Sequence, residues 1–199
     1  MFPTLTMDLS LFTLLNQQWR NAALDVILPV FSQRWPLLVL LSGLLVWRCL
    51  LRGKDHSVYF IVLLVGMGLS DFSTNQIKHA VGRLRPVESL ASVYYQESGQ
   101  WLQRPADFTP EKERGTSFPS AHAANTAALA LLAALLWRRV RSFVWAVPLV
   151  VGWSRVYLGK HFPTDVLAGW ILGALVASLC WLVWRALSRR LGLPERAEV

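Results

Sequence analysis

The chain has 199 residues, 54% hydrophobic and 16% charged, with ten tryptophans and a formal net charge of +8. A soluble domain carries about a quarter charged residues, so this composition excludes an ordinary soluble globule and points to an integral membrane protein. The positive balance does not indicate a nucleic-acid partner, because the Lys and Arg residues sit at the ends of apolar runs and form no basic stripe.

Residues 7–33 interleave apolar residues with Asn16, Gln17, Gln18, Arg20, Asn21 and Asp25, which is too polar for a spanning helix. Two short amphipathic helices lying in the membrane interface are expected over 1–34. No basic n-region or small-residue cleavage site marks a secretory signal, so these residues are expected in the mature protein. Five stretches follow, 35–53, 57–81, 119–137, 140–158 and 163–188. Each has close to the ~20 residues that cross a hydrocarbon core about 30 Å thick. The predicted fold is all-α, a polytopic transmembrane bundle of five spanning helices in one domain covering 1–199. Cys49 and Cys180 lie far apart inside apolar runs and are read as small buried hydrophobes, not as a disulfide or zinc pair.

Lys and Arg in the short connections set the orientation. Arg48, Arg52 and Lys54 mark the turn from the first stretch to the second; Arg138, Arg139 and Arg141 the turn from the third to the fourth; Arg185, Arg189, Arg190 and Arg196 the C-terminal end. With five spans all three groups share one side, which is predicted cytoplasmic. The extracytoplasmic side then receives the long connection 82–118. Its Tyr94, Tyr95, Trp101 and Phe108 belong either to a lid or binding element or to headgroup-level anchors. Small residues mark two stretches: Ala123, Ala124, Ala127, Ala128 and Ala130 in the third, and Ala168, Gly169, Gly173 and Ala174 in the fifth. They predict close helix packing within one subunit, with a homodimer interface as the other reading.

Three polar clusters stand at the edges of these apolar stretches: Lys78-x6-Arg85-Pro86, Pro119-Ser120-Ala121-His122, and Ser154-Arg155-x5-His161-x3-Asp165. Alternation of five spans brings all of them to the extracytoplasmic face. Lys78, Arg85 and Arg155 supply fixed cations for a phosphate, the arginines as planar forks. Ser120 opens a helix whose N-terminus favours anions. His161 and Asp165, four residues apart, predict a carboxylate that orients an imidazole and leaves its other nitrogen nucleophilic. His122 is then the general acid. Asp71 and Asn75 within the second stretch are read as interhelical hydrogen-bonding residues that position Lys78. Arg83 is read as a solvated loop cation or a headgroup contact.

In order and spacing the clusters resemble the signature of the type 2 phosphatidic acid phosphatase superfamily, the lipid phosphate phosphatases. That signature is Lys-x6-Arg-Pro, Pro-Ser-Gly-His and Ser-Arg-x5-His-x3-Asp. The one departure is Ala121, where the family usually has Gly; a positive φ there would be disfavoured. The resemblance implies that His161 attacks phosphorus to form a phosphohistidine, that Asp165 orients it, and that His122 protonates the leaving group and later activates water. Lys78, Arg85, Ser120, the Ala121 N–H and Arg155 would hold the phosphate, with no metal or other cofactor. It implies a lipid phosphate substrate at the outer face of the plasma (inner) membrane, with undecaprenyl diphosphate the first expectation. Phosphatidylglycerophosphate, phosphatidic acid and lipid A are the alternatives. A lipid-to-lipid phosphotransferase and a non-catalytic lipid-binding or transport protein are the competing functions.

Overall fold

The computed structural model describes residues 5–33, 43 and 57–197. The stretch 35–53, with Arg48, Cys49 and Arg52, lies almost wholly outside these residues, as does Lys54. The described chain is mostly helical. Helix α1 (Thr6–Thr13) runs into one π-helical turn, Leu14–Gln18, and α2 spans Ala22–Phe31. Helix α3 is Ser57–Val81, α4 the short Pro86–Ser89, α5 Ala121–Leu136, α6 Ala146–Tyr157 and α7 Pro163–Leu191.

Helices α3 and α7 are long and apolar enough to cross a membrane. Their outer faces fit that reading. Leu167, Ile171, Leu175, Leu179, Leu182 and Leu187 are exposed along α7, and Ile61, Leu64, Val65, Leu69 and Phe72 along α3. Uncovered apolar stripes of this length suit lipid, not water. The other predicted spans come out shorter. With 16 residues, α5 is about 24 Å long, and α6, with 12, about 18 Å. Helix α5 breaks at Trp137, and the cations Arg138, Arg139 and Arg141 fill the 3₁₀ and turn segment before α6.

Ten of the 16 residues of α5 are buried, mostly alanines. They let α3 and α7 close on it from both sides. A Cβ at Gly169 would lie 2.5 Å from the Ser120 carbonyl oxygen, and one at Gly173 would run into the Ala124 carbonyl. The small residues of α7 therefore serve packing within the chain, with α5 and α7 running in the same direction. Asn125 on α5 donates to Asp71 on α3 at 3.0 Å, the interhelical bond expected of Asp71, whereas Asn75 is exposed. At the opposite end Tyr59, Phe60, Trp137, Trp181 and Trp184 form an aromatic core. The C-terminal segment closes it: the Tyr59 hydroxyl lies 3.1 and 3.0 Å from the Pro194 and Arg196 carbonyls, and Trp184 Nε1 donates to Glu195 O.

The connection 82–118 is folded back on the molecule. It holds α4 and an antiparallel hairpin, β1 (Tyr94–Glu97) with β2 (Gln100–Gln103). The hairpin turns at Ser98 and Gly99, both at positive φ as a two-residue I′ turn requires. Its aromatic rings face cations of the chain itself: Arg20 stacks on Tyr94 and Trp101, and Arg104 on Tyr95 and Phe108. Asn16, carried inward by the π turn, bonds the Tyr94 and Tyr157 carbonyls at 2.8 and 2.6 Å. The N-terminal polar residues thus tie α1 to the hairpin and α6.

Gly173→Ala forces its methyl into the α5 backbone. Overpacking of this kind costs about 1–3 kcal/mol, and thermal unfolding in detergent should show that loss against an exposed control such as Gly68→Ala.

Candidate active site

All three clusters fall at one end of the bundle, at the C-terminal ends of α3 and α6 and the N-terminal ends of α5 and α7. Lys78 stands half-buried in the last turn of α3, before the Gly82 cap at φ +68°. Residues 82–85 then pair with the end of the long connection. Gly115 N donates to Gly82 O at 3.0 Å and Ser117 N to Arg83 O at 2.8 Å. This brings Arg85, at the start of α4, beside Thr116 and close to the α5 entrance.

Ser120 is the N-cap residue of α5, but its side chain forms no cap. The hydroxyl is buried and has no hydrogen-bond partner among the described residues. A buried orphan hydroxyl costs stability unless something fills the need, so it is available to a ligand. Ala121 is the first helical residue and is not at positive φ. Alanine in place of glycine therefore carries no backbone strain. His122 follows on the same turn, half-buried.

Helix α6 delivers Arg155, which is 6% exposed. Its Nη1 donates to the carbonyl of Ser32 at 3.2 Å and also to the Ser32 hydroxyl, at the C-terminal end of α2. The chain then turns sharply through Gly159, at φ +68°, where a Cβ would lie 2.7 Å from Val93 Cγ1. Lys160 N and His161 N both return to the Arg155 carbonyl, at 3.1 and 3.2 Å. His161 ends up 1% exposed.

The expected His161–Asp165 hydrogen bond is not what orients the imidazole. Nδ1 lies 2.8 Å from the Ser117 carbonyl and 3.7 Å from Asp165 Oδ2. The reason is local. Pro163 opens α7 and Phe162 is its N-cap, so His161 precedes the helix and the four-residue helical spacing does not apply. Ser117 bridges the two groups: its carbonyl accepts from the imidazole, and its hydroxyl donates to Asp165 at 2.6 Å. Asp165 also accepts from its own N-cap nitrogen, Phe162 N, at 2.8 Å and from Arg83 Nη1 at 2.6 Å. Its carbonyl receives Ser120 N at 2.9 Å, which joins the starts of α5 and α7.

Arg83 is neither a solvated cation nor a headgroup contact. It is 3% exposed, lies over the Phe162 ring, and is clamped between Asp165 and Asp8 of α1, each at 2.6 Å. Sequence reasoning missed Asp8, Ser117 and Lys160. The ammonium of Lys160 has no carboxylate within ion-pair distance among the described residues. Burial, with Arg155 and Arg85 nearby, brings it down to about 8. Burial likewise pushes His161 down to about 4; Asp165 opposes the shift, and Arg155 and Arg85 add to it. A neutral imidazole held at Nδ1 keeps its Nε2 lone pair for nucleophilic attack.

The family model of the PAP2 superfamily matches residues 59–189, and the chain belongs to that superfamily. YbjG of Escherichia coli (strain K12), provisionally named an undecaprenyl-diphosphatase, is 29% identical over 189 residues, covering 93% of this chain and 86% of YbjG. Phosphatidylglycerophosphatase B of the same strain is 30% identical over 204 residues, covering 85% of this chain and 79% of the relative. The crystal structure of Aquifex aeolicus LpxE superposes with a TM-score of 0.68 at 22% identity, over 90% of this chain and 97% of that one. That likeness bears on the fold.

A buried neutral histidine makes folding acid-sensitive. Its folded pKa of about 4 lies below the ordinary 6.5, so the unfolded chain binds the extra proton and stability falls as pH drops through that window. Melting temperatures of the wild type should decline between these two values, and His161→Gln should flatten that part of the decline.

Proposed function

We propose that this chain is an integral membrane phosphatase that hydrolyses the terminal phosphate of a lipid phosphate or diphosphate through a phosphohistidine on His161, without a metal. The supporting observation is the pairing of a buried, neutral imidazole, held at Nδ1 by the Ser117 carbonyl, with cations gathered at the same end of the bundle. Nε2 of His161 attacks phosphorus as the bond to the lipid oxygen breaks. His122 gives its proton to that oxygen. Lys78, Arg85, Arg155, the Ser120 hydroxyl and the Ala121 N–H hold the phosphoryl oxygens as charge develops on them. Water, deprotonated by His122, then breaks the P–N bond and releases inorganic phosphate. Asp165 acts at the Nδ1 edge through Ser117, stabilising the positive charge that grows on the ring.

Undecaprenyl diphosphate is the substrate this reading favours. YbjG supports it, and so does Lys160, which adds to the three cations above, has no carboxylate of its own within ion-pair distance among the described residues, and suits the extra charge of a diphosphate. Phosphatidylglycerophosphate is the second reading, carried by the similarity to phosphatidylglycerophosphatase B. The cations at 138–141 and 185–190 lie at the end remote from the site. The positive-inside tendency supports a cytoplasmic assignment of that end and, in a five-span arrangement, a site on the extracytoplasmic face of the plasma membrane.

Purified protein given isoprenyl diphosphates, glycerophospholipid phosphates or lipid A should release inorganic phosphate from the first without added acceptor and in excess chelator. His161→Ala should abolish turnover, and His122→Ala should slow it by about 10²–10⁴. Turnover that survives His161→Ala rejects the phosphohistidine. Release that needs a lipid acceptor identifies a transferase instead.

Lys160→Ala should lower kcat/KM on an isoprenyl diphosphate by about 10-fold or more, as expected for a lost charge-assisted bond. The matching monophosphate should change little. Equal losses on both would remove Lys160 from diphosphate selection.

A further inference from the structure

The N-terminal helix reaches the proposed nucleophile through one buried carboxylate. Asp8 is 1% exposed. It accepts from Arg83 Nη2 at 2.6 Å, from the Thr164 hydroxyl at 2.6 Å and from Thr164 N at 2.9 Å. Arg83 Nη1 donates onward to Asp165 and to the Thr164 hydroxyl, at 2.6 and 2.8 Å. Two carboxylates therefore share one guanidinium, and Ser117 carries the chain of contacts to His161 Nδ1.

A packing role alone does not call for this arrangement. Arg83 and Asp165 would form a neutral pair without Asp8, and a buried carboxylate added to such a pair is expensive. With Asp8 the cluster carries one net negative charge, close to a ring that becomes positive when its Nε2 bonds to phosphorus. Among the described residues, the other charged and titratable groups around His161 are Arg155 on α6, Arg85 on the 82–85 segment and the neighbouring Lys160. Lys78 and His122 stand at the same end of α3 and α5. All the cations among them oppose positive charge on the ring. Asp165 and Asp8 are the carboxylates that favour it, and Arg83 cancels one of the two.

We infer that Asp8 is a positioning residue for the phosphoryl-transfer step: it occupies half of the Arg83 guanidinium, so that the Asp165 carboxylate keeps its pull on the His161 imidazole. The inference rests on the phosphohistidine reading. Without the Asp8 charge, Arg83 neutralises Asp165 more fully, and the ring becomes harder to charge, whether by a proton or by phosphorus. Without the Arg83 charge, both carboxylates act on the ring and it becomes easier to protonate.

The test uses the full chain in detergent with a lipid diphosphate, measuring kcat, KM and inhibition by inorganic phosphate between about pH 2.5 and 9. Asp8→Asn, which keeps the size and one acceptor oxygen, should lower kcat about 10-fold or more. KM and the phosphate inhibition constant should stay within about twofold, and the acid limb should move down by about one pH unit. Arg83→Gln should move that limb the opposite way, and Asp8→Glu should recover part of the lost kcat. The inference is overturned by limbs that stay in place in both variants. It is equally overturned by an Asp8→Asn loss that appears in phosphate binding as much as in kcat, which would make Asp8 only an anchor for α1. A His161→Ala enzyme that still turned over would separately remove the reading beneath it.

Discussion

One buried carboxylate organises this end of the molecule. Asp165 is fully inaccessible, and withdrawing such a group from water costs several kcal/mol. The cost is offset only if donors reach both oxygens, and hydrogen bonds to a charged group contribute about 1.5–3 kcal/mol each. Those donors come from three places: Arg83 after α3, Ser117 before α5 and Phe162 at the start of α7. Satisfying one side chain therefore requires that the two ends of the long connection lie together against α7. The same requirement gathers Arg85, Ser120 and His161 at this end of the bundle.

Close helix approach supplies the second half of the constraint. Ser120 N reaches the Asp165 carbonyl at 2.9 Å, and Gly169, one turn further along α7, leaves no room for a side chain beneath the Ser120 carbonyl. The small residues that let helices pack in lipid thereby fix how far the α5 N-terminus stands from the loop that bears His161. Packing and site geometry share one set of atoms. A bulkier residue at that crossing would displace the site as well as loosen the bundle.

The helix ends were legible in the sequence, because charged and polar residues gathered at the edge of an apolar run mark where a helix leaves the hydrocarbon. Helix α3 matches its expected limits, and α7 starts where expected and runs three residues further. Helix α6 is shorter than its apolar run suggests, because the cations at 138–141 are held in a turn. Contacts between distant residues were not legible. Asp8 is a lone acid in an apolar stretch, and its guanidinium partner lies 75 residues on. Arg83 reads as a loop cation because nothing near it in sequence announces two carboxylates. Ser117 acts on His161 through its backbone carbonyl, which every residue type possesses. The spacing of His161 and Asp165 gave their proximity correctly but not the acceptor, because Pro163 starts the helix between them.

These long-range contacts bear on a conflict built into the proposed chemistry. Holding a phosphate or diphosphate needs several cations, and the same cations add to the burial that already keeps the imidazole neutral and brings His161 down to about 4. A neutral ring is what attack requires, but a ring that resists positive charge is a poor nucleophile. The two demands fall on different sides of the imidazole. In the proposed site the cations stand on the phosphate side, and the carboxylate network stands at the Nδ1 edge, behind the Ser117 carbonyl. Charge can then develop on the ring during the transfer without the ring being protonated beforehand. A site with the cations alone would bind phosphate and turn it over slowly; one with the carboxylates alone would favour a protonated His161 against its burial and would lack the charges that hold a phosphate.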